Sequence, residues 1–220
     1  MPLFTTTRPA YSRAERLSDA IVHVSGLVAA TAAVPVLIVL TAQQRGDAAS
    51  VVGASVYGAT LIAMILCSAL FNMVRRPEWG WLLQRLDHAA IYLKIAGTYT
   101  PFALVTGQGG AVAALVWAAA GVGVVLKTIS PLRFRPLALA LYLGMGWAGV
   151  LAGGEMLAAL PGSVVVLMLT GGLIYSLGVG FYLWQRLRFH YTIWHVCVLA
   201  ATMVFYAAVV VLVVSGAPTA

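Results

Sequence analysis

The chain has 220 residues, of which 62% are hydrophobic and 9% charged, and its mean hydropathy is +0.97. A soluble domain carries roughly 25% charged residues, so this composition excludes one and points to an integral membrane protein with little mass outside the bilayer. The net charge of +7 gathers in short loops on one predicted side, so anionic lipid headgroups rather than nucleic acid are its expected partners.

Seven apolar runs follow in order at 20–41, 50–73, 86–106, 111–126, 136–153, 157–184 and 191–214. About 20 apolar residues cross the hydrocarbon core as a helix, so each run predicts one crossing. The Lys and Arg residues before, between and after the runs number 3, 1, 3, 0, 3, 0, 2 and 0, with Lys94 inside a run. Basic connections alternate with nearly empty ones. The positive-inside rule then puts the N-terminus in the cytoplasm and the C-terminus outside. The expected fold is all-α, a single seven-helix transmembrane bundle over 1–220 with 1–18 as a cytoplasmic segment. No cleavable signal peptide is expected, because the first run passes Leu40 without a small-residue cleavage site.

Glycines recur inside the runs, among them Gly121, Gly123, Gly149, Gly171 and Gly178, and small residues let helices approach closely in lipid. Pro101 follows Thr98, Tyr99 and Thr100 and predicts a kink or a loosened turn in the third run. Cys67 and Cys197 have neither metal nor disulfide spacing and read as small apolar residues.

Ionisable groups within a span are costly, which makes each a functional candidate by default. Under the predicted topology they share one depth. Asp19 and His23 lie at the cytoplasmic end of the first run, and Ser68 and Asn72 at that end of the second. Asp87 and His88 open the third run, and His190, Tyr191 and His195 open the seventh. Ser68 and Asn72 stand four residues apart, as do Tyr191 and His195, so each pair shares a helix face. A lone polar residue near a helix end reaches interfacial water. Four helices placing such residues at one level predict a buried polar cluster. Lys94 lies seven residues beyond Asp87, on the same face and about 10 Å deeper at ~1.5 Å per residue. There it pairs with a carboxylate, binds an anionic headgroup, or only reaches polar neighbours.

At these positions the chain resembles the hemolysin III proteins, bacterial members of the progestin and adiponectin receptor superfamily. The segment from Glu15 through Asp19 to His23 looks like the family's opening, with Asp19 where an Asn is usual. Cys67 to Asn72 is similar to a Ser-x-x-x-His motif. The stretch from Arg85 through Asp87 and His88 to Phe102 is the closest match, and Ile193-Trp194-His195 resembles the end of a His-x-x-x-His motif. The resemblance implies seven helices with a cytoplasmic N-terminus, and a zinc held by one His of the second span and two of the seventh. An Asp of the third span would hold the zinc-bound water. Related superfamily members, such as alkaline ceramidases, cleave lipid amides in this way.

Two of those ligand positions differ here: Asn72 and Tyr191 stand where His is expected. Neutral Asn is a poor zinc ligand, and Tyr must first lose a proton of pKa about 10. No cofactor is therefore expected and no residue is assigned to a metal, the alternative being a shifted set of Asp87, His88, His190 and His195. The candidate catalytic residues are Ser68, Asp87 and His195. The candidate substrate-binding residues are His23, Asn72, His88, Lys94 and Tyr191. Three functions fit this reading. The first is binding of a membrane lipid near the cytoplasmic side. The second is hydrolysis of a lipid amide or ester, with or without residual zinc, and the third is membrane permeabilisation (cytolysis) or transport. In each, the protein sits in the cell membrane, the inner membrane of a bacterium.

Overall fold

The computed structural model describes residues 11–130 and 135–215. Residues 1–10 of the N-terminal segment, Arg133 of the basic loop and residues 216–220 lie outside the described residues. Among the described residues there are eight helices and no strand. Seven of them coincide with the seven apolar runs: α1 (Arg13–Gln44), α2 (Ala48–Met73), α3 (Pro77–Thr106), α4 (Gly110–Ile129), α5 (Arg135–Ala152), α7 (Gly162–Leu183) and α8 (His190–Ser215). The eighth, α6 (Gly154–Ala158), is a short turn in what the sequence presents as a loop.

Local signals set the boundaries. Ser12 caps α1 through a capping box with Glu15, and Asp47 caps α2 by accepting from the Ser50 amide at 2.8 Å. Pro77 opens α3 in the first turn, where its missing N–H costs nothing. As a result α3 begins well before residue 86, and most of the expected basic connection is helical. Gly107 ends α3 at φ +67°, a left-handed conformation that a Cβ would strain.

Five helices (α1, α2, α4, α7 and α8) are long and apolar enough to cross a membrane by length and composition. The chain is thus a multi-pass membrane protein. Helix α3 is long but carries Arg85, Asp87 and Lys94, and the apolar part of α5, Pro136–Ala152, is shorter.

The helices form a ring. Helix α1 packs on α2 and α8, α3 on α2 and α4, α5 on α4 and α3, and α7 on α8, while α3 also reaches α8. Glycines line these seams. A Cβ on Gly97 would meet the Thr60 hydroxyl at 2.1 Å, and one on Gly58 would meet Val34 at 2.3 Å. Gly53 lies against the Pro101 backbone, where a Cβ would come to 2.9 Å, so Pro101 sits at a close α2–α3 crossing within a continuous helix. Gly121, Gly144 and Gly180 face open space and do not serve packing within the chain. At the opposite end from the polar residues, Arg45 donates to the carbonyls of Leu212 and Val213 at 2.6 and 3.1 Å. This satisfies the last turn of α8 and joins it to the α1–α2 connection.

Glu15, outside the membrane-spanning run, ties the polar end together. Its carboxylate accepts from the Ser12 hydroxyl and amide, and also from the Phe189 amide at 3.2 Å just before α8. The hydrogen bonds with Ser12, then that with Phe189, hold its pKa down at about 2. A depressed carboxyl pKa means the tie is complete above the ordinary value of about 4.3 and is lost as pH falls through 2. Hydrogen exchange at the Phe189 amide, corrected for intrinsic rate, should lose protection across that window. Protection that does not change with pH would contradict the tie.

Candidate functional site

Helices α1, α3 and α8 begin at one end of the ring and α2 finishes there, so four helices bring their polar residues together. On α1, Asp19 and His23 are one turn apart, and both are buried, at 7% and 4% exposure. His23 Nδ1 donates to the Asp19 carbonyl at 2.8 Å, which leaves Nε2 as an acceptor for the Ser68 hydroxyl of α2 at 3.0 Å. His195 of α8 donates from Nδ1 to Asp19 Oδ1 at 2.5 Å, so its Nε2 lone pair is also left available. The two imidazoles meet edge to face with centroids 4.4 Å apart.

Around this trio stand the other expected residues. Asp87 of α3 is buried and lies within the electrostatic reach of Ser68, His195 and Asp19. Asn72 turns back on its own helix, donating to the Ser68 carbonyl at 2.9 Å. Tyr191 packs its ring edge to face with His195 at 4.4 Å and stacks on Tyr11 at 5.5 Å. His88 packs against Phe71 at 6.3 Å, and its carbonyl accepts from Tyr142. Lys94 lies deeper, with its ammonium over the rings of Tyr175 and Phe205 at 4.7 and 5.2 Å. All eight sequence-derived candidates line one cavity of about 1190 Å³. Its walls toward α5 and α7 are largely apolar, with Leu143, Val165, Met168 and Leu169 among them.

A family model described as haemolysin-III related matches residues 12–206. Hemolysin-3 of Bacillus cereus is 35% identical over 195 residues, covering 87% of this chain and 89% of that protein. The chain belongs to the haemolysin III family. The Hemolysin-3 homolog of Bacillus subtilis strain 168 is 34% identical over the same length, 87% of this chain and 91% of its own.

The expectation that this haemolysin III protein has no metal-binding residues is corrected by the cluster. Asp19, His23 and His195 each offer a ligand atom, and these atoms lie within 4.8 Å of one another, so the trio could hold a metal ion. The reason is physical. The sequence reading weighed ligand positions on α2, α3 and α8 but none on α1, whereas α1 packs directly on α8 and brings its own His and carboxylate to His195. The alternative set of Asp87, His88, His190 and His195 does not assemble as such a group among the described residues. Two imidazoles and a carboxylate are a donor set that zinc accepts, with one position left for a further ligand. The bond from His23 Nδ1 to the Asp19 backbone carbonyl also resembles the supporting bonds that orient metal-bound histidines.

Sequence reasoning placed Asp19 at the right depth but gave it no role. Its signal was the i,i+4 spacing to His23 and the carboxylate standing where the resemblance has an amide. Gln84 was missed altogether: it is 3% exposed, lines the cavity, and its Oε1 has no hydrogen-bond partner among the described residues.

Proposed function

We propose that this protein binds a membrane lipid, with the lipid's polar end at the Asp19–His23–His195 cluster and its chain along the apolar cavity wall. The single observation that carries this reading is the cavity itself, polar at the four-helix end and apolar between α5 and α7. Pockets of roughly 300–1,000 Å³ hold drug-sized ligands, so about 1190 Å³ suits a larger amphiphile. The unpartnered Gln84 Oε1 supplies an acceptor for a hydroxyl or amine on the headgroup. The chain is read as a single bundle crossing the inner membrane of a bacterium seven times, its N-terminus and cluster on the cytoplasmic side. The alternation of basic loops supports that orientation.

A second reading, hydrolysis of the bound lipid's amide or ester, is favoured by Asp87 and Ser68 standing beside the cluster. Zinc held by Asp19, His23 and His195 would supply a Lewis acid that polarises the carbonyl. Asp87 accepts a proton from the attacking water and returns it to the leaving amine or alcohol as the C–N or C–O bond breaks. Ser68, hydrogen-bonded to His23 Nε2, holds that imidazole in position. The apolar wall excludes bulk water from the bond being cut.

Native mass spectrometry of the purified protein should find lipid retained at close to one per chain, in the wild type and in Asp87→Asn alike. Turnover of a ceramide-like or ester lipid should fall at least about 100-fold in Asp87→Asn, the size of a lost general base. Retention without turnover would remove the hydrolase reading alone, and absence of lipid from both proteins would remove the binding reading.

A further inference from the structure

Lys94 is 4% exposed in the middle of α3, and among the described residues no carboxylate comes within ion-pair distance of it. The hydroxyl of neighbouring Thr98 donates to the Lys94 backbone carbonyl. Tyr175, whose ring lies under the ammonium, has its own hydroxyl paired with Thr202 at 2.8 Å. The ammonium therefore meets two aromatic faces and the cavity, and nothing of opposite charge. A buried cation is costly unless it is paired, so a lysine kept in this setting marks a place for an anion. Charge along the cavity agrees. Asp19 and Asp87 occupy the polar end and repel an anion there, while Lys94 lies about 10 Å deeper along α3. Arg13, Arg16, Arg75, Arg186 and Arg188 are exposed and line the same cavity, giving it a basic entrance that draws in anionic amphiphiles.

We propose that Lys94 binds the anionic oxygens, carboxylate or phosphate, of an amphiphile whose apolar chain occupies the same cavity. This rests on the lipid-binding reading, narrows it to an anionic ligand class, and moves the ligand's charged end from the Asp19–His23–His195 cluster to Lys94, about 10 Å deeper along α3. The aromatic faces of Tyr175 and Phe205 hold the ammonium in place and shield it from the opposite wall, so the anion approaches from the open side of the cavity.

The test is binding of cis-parinaric acid and of its methyl ester, by fluorescence, to the full chain in dodecyl maltoside. The wild type should prefer the acid to the ester by at least about tenfold. Lys94→Met should lose that preference without changing ester affinity, and Lys94→Arg should keep it. Equal affinity of the wild type for acid and ester, which needs no variant to measure, would overturn the proposal while leaving lipid binding intact. So would an undiminished preference in Lys94→Met. Binding of neither probe would overturn both readings. Displacement of the acid by dodecyl phosphate or dodecanoate, but not by inorganic phosphate, assigns the site to a lipid-borne anion. Displacement by inorganic phosphate at the same concentration would overturn the amphiphile assignment.

Discussion

His195→Ala is expected to weaken zinc binding at least about 100-fold, with helix content unchanged. The imidazole is the link between α8 and the two α1 ligands, so its removal leaves only Asp19 and His23, one turn apart on a single helix. Losing a supporting residue around a metal typically costs 10–100-fold in affinity, and losing a ligand costs at least the upper part of that range. Chelator-competition titration of the purified protein measures it. Asn72→Ala and Tyr191→Phe are the controls, because Asn72 hydrogen-bonds its own helix and Tyr191 meets His195 through ring packing that Phe keeps. Both should bind zinc within a few-fold of the wild type. Strong losses in the controls, with His195→Ala unaffected, would mean that the ligands lie elsewhere.

The second large effect concerns stability. Gly123→Leu should prevent assembly of the bundle or lower its thermal midpoint sharply, whereas Gly121→Ala should be neutral or slightly stabilising. A Cβ at Gly123 would meet the Tyr92 ring at 2.4 Å, and Tyr92 is fully buried. Its ring packs on Tyr142 at 4.3 Å, and Tyr142 in turn donates to the His88 carbonyl. The ring has nowhere to go without disturbing α5 and the polar end together. Overpacking of this kind costs about 1–3 kcal/mol for modest additions and more for a full side chain. Gly121, two residues earlier and nearly opposite on the helix, has no described atom within 4 Å of its Cβ direction, so alanine there gains helix propensity at no steric cost. A thermal-shift comparison in detergent separates the two, and equal midpoints would refute the close α3–α4 contact.

Much of this architecture is legible in the residues. Hydropathy marks the helices because a span must satisfy its backbone internally, and that demand is written over some 20 consecutive positions. The alternation of arginines fixes which ends of the helices belong together, so Asp19, His23, Ser68, Asn72, Asp87 and His195 can be assigned to one level before any contact is known. The metal-capable trio could not be read in this way. Which of several residues at one depth face each other depends on helix rotation and on the α1–α8 contact, and these follow from packing of glycines such as Gly26 against Leu199. Position-by-position comparison with a family pattern was also misleading, since it registered Asn72 and Tyr191 as losses without crediting Asp19 as a gain. The start of α3 was obscured for a different reason. Its first turns carry Glu78, Gln84 and Arg85, which look like loop until Pro77 is recognised as a helix opener.

X-ray absorption of the zinc-loaded, detergent-purified protein tests the convergence of Asp19, His23 and His195 most directly. One zinc per chain, with two imidazole nitrogens and otherwise oxygen in its first coordination sphere, is the predicted spectrum. Sulfur scattering from Cys67 or Cys197, a single imidazole, or failure to bind any zinc at one equivalent would contradict it.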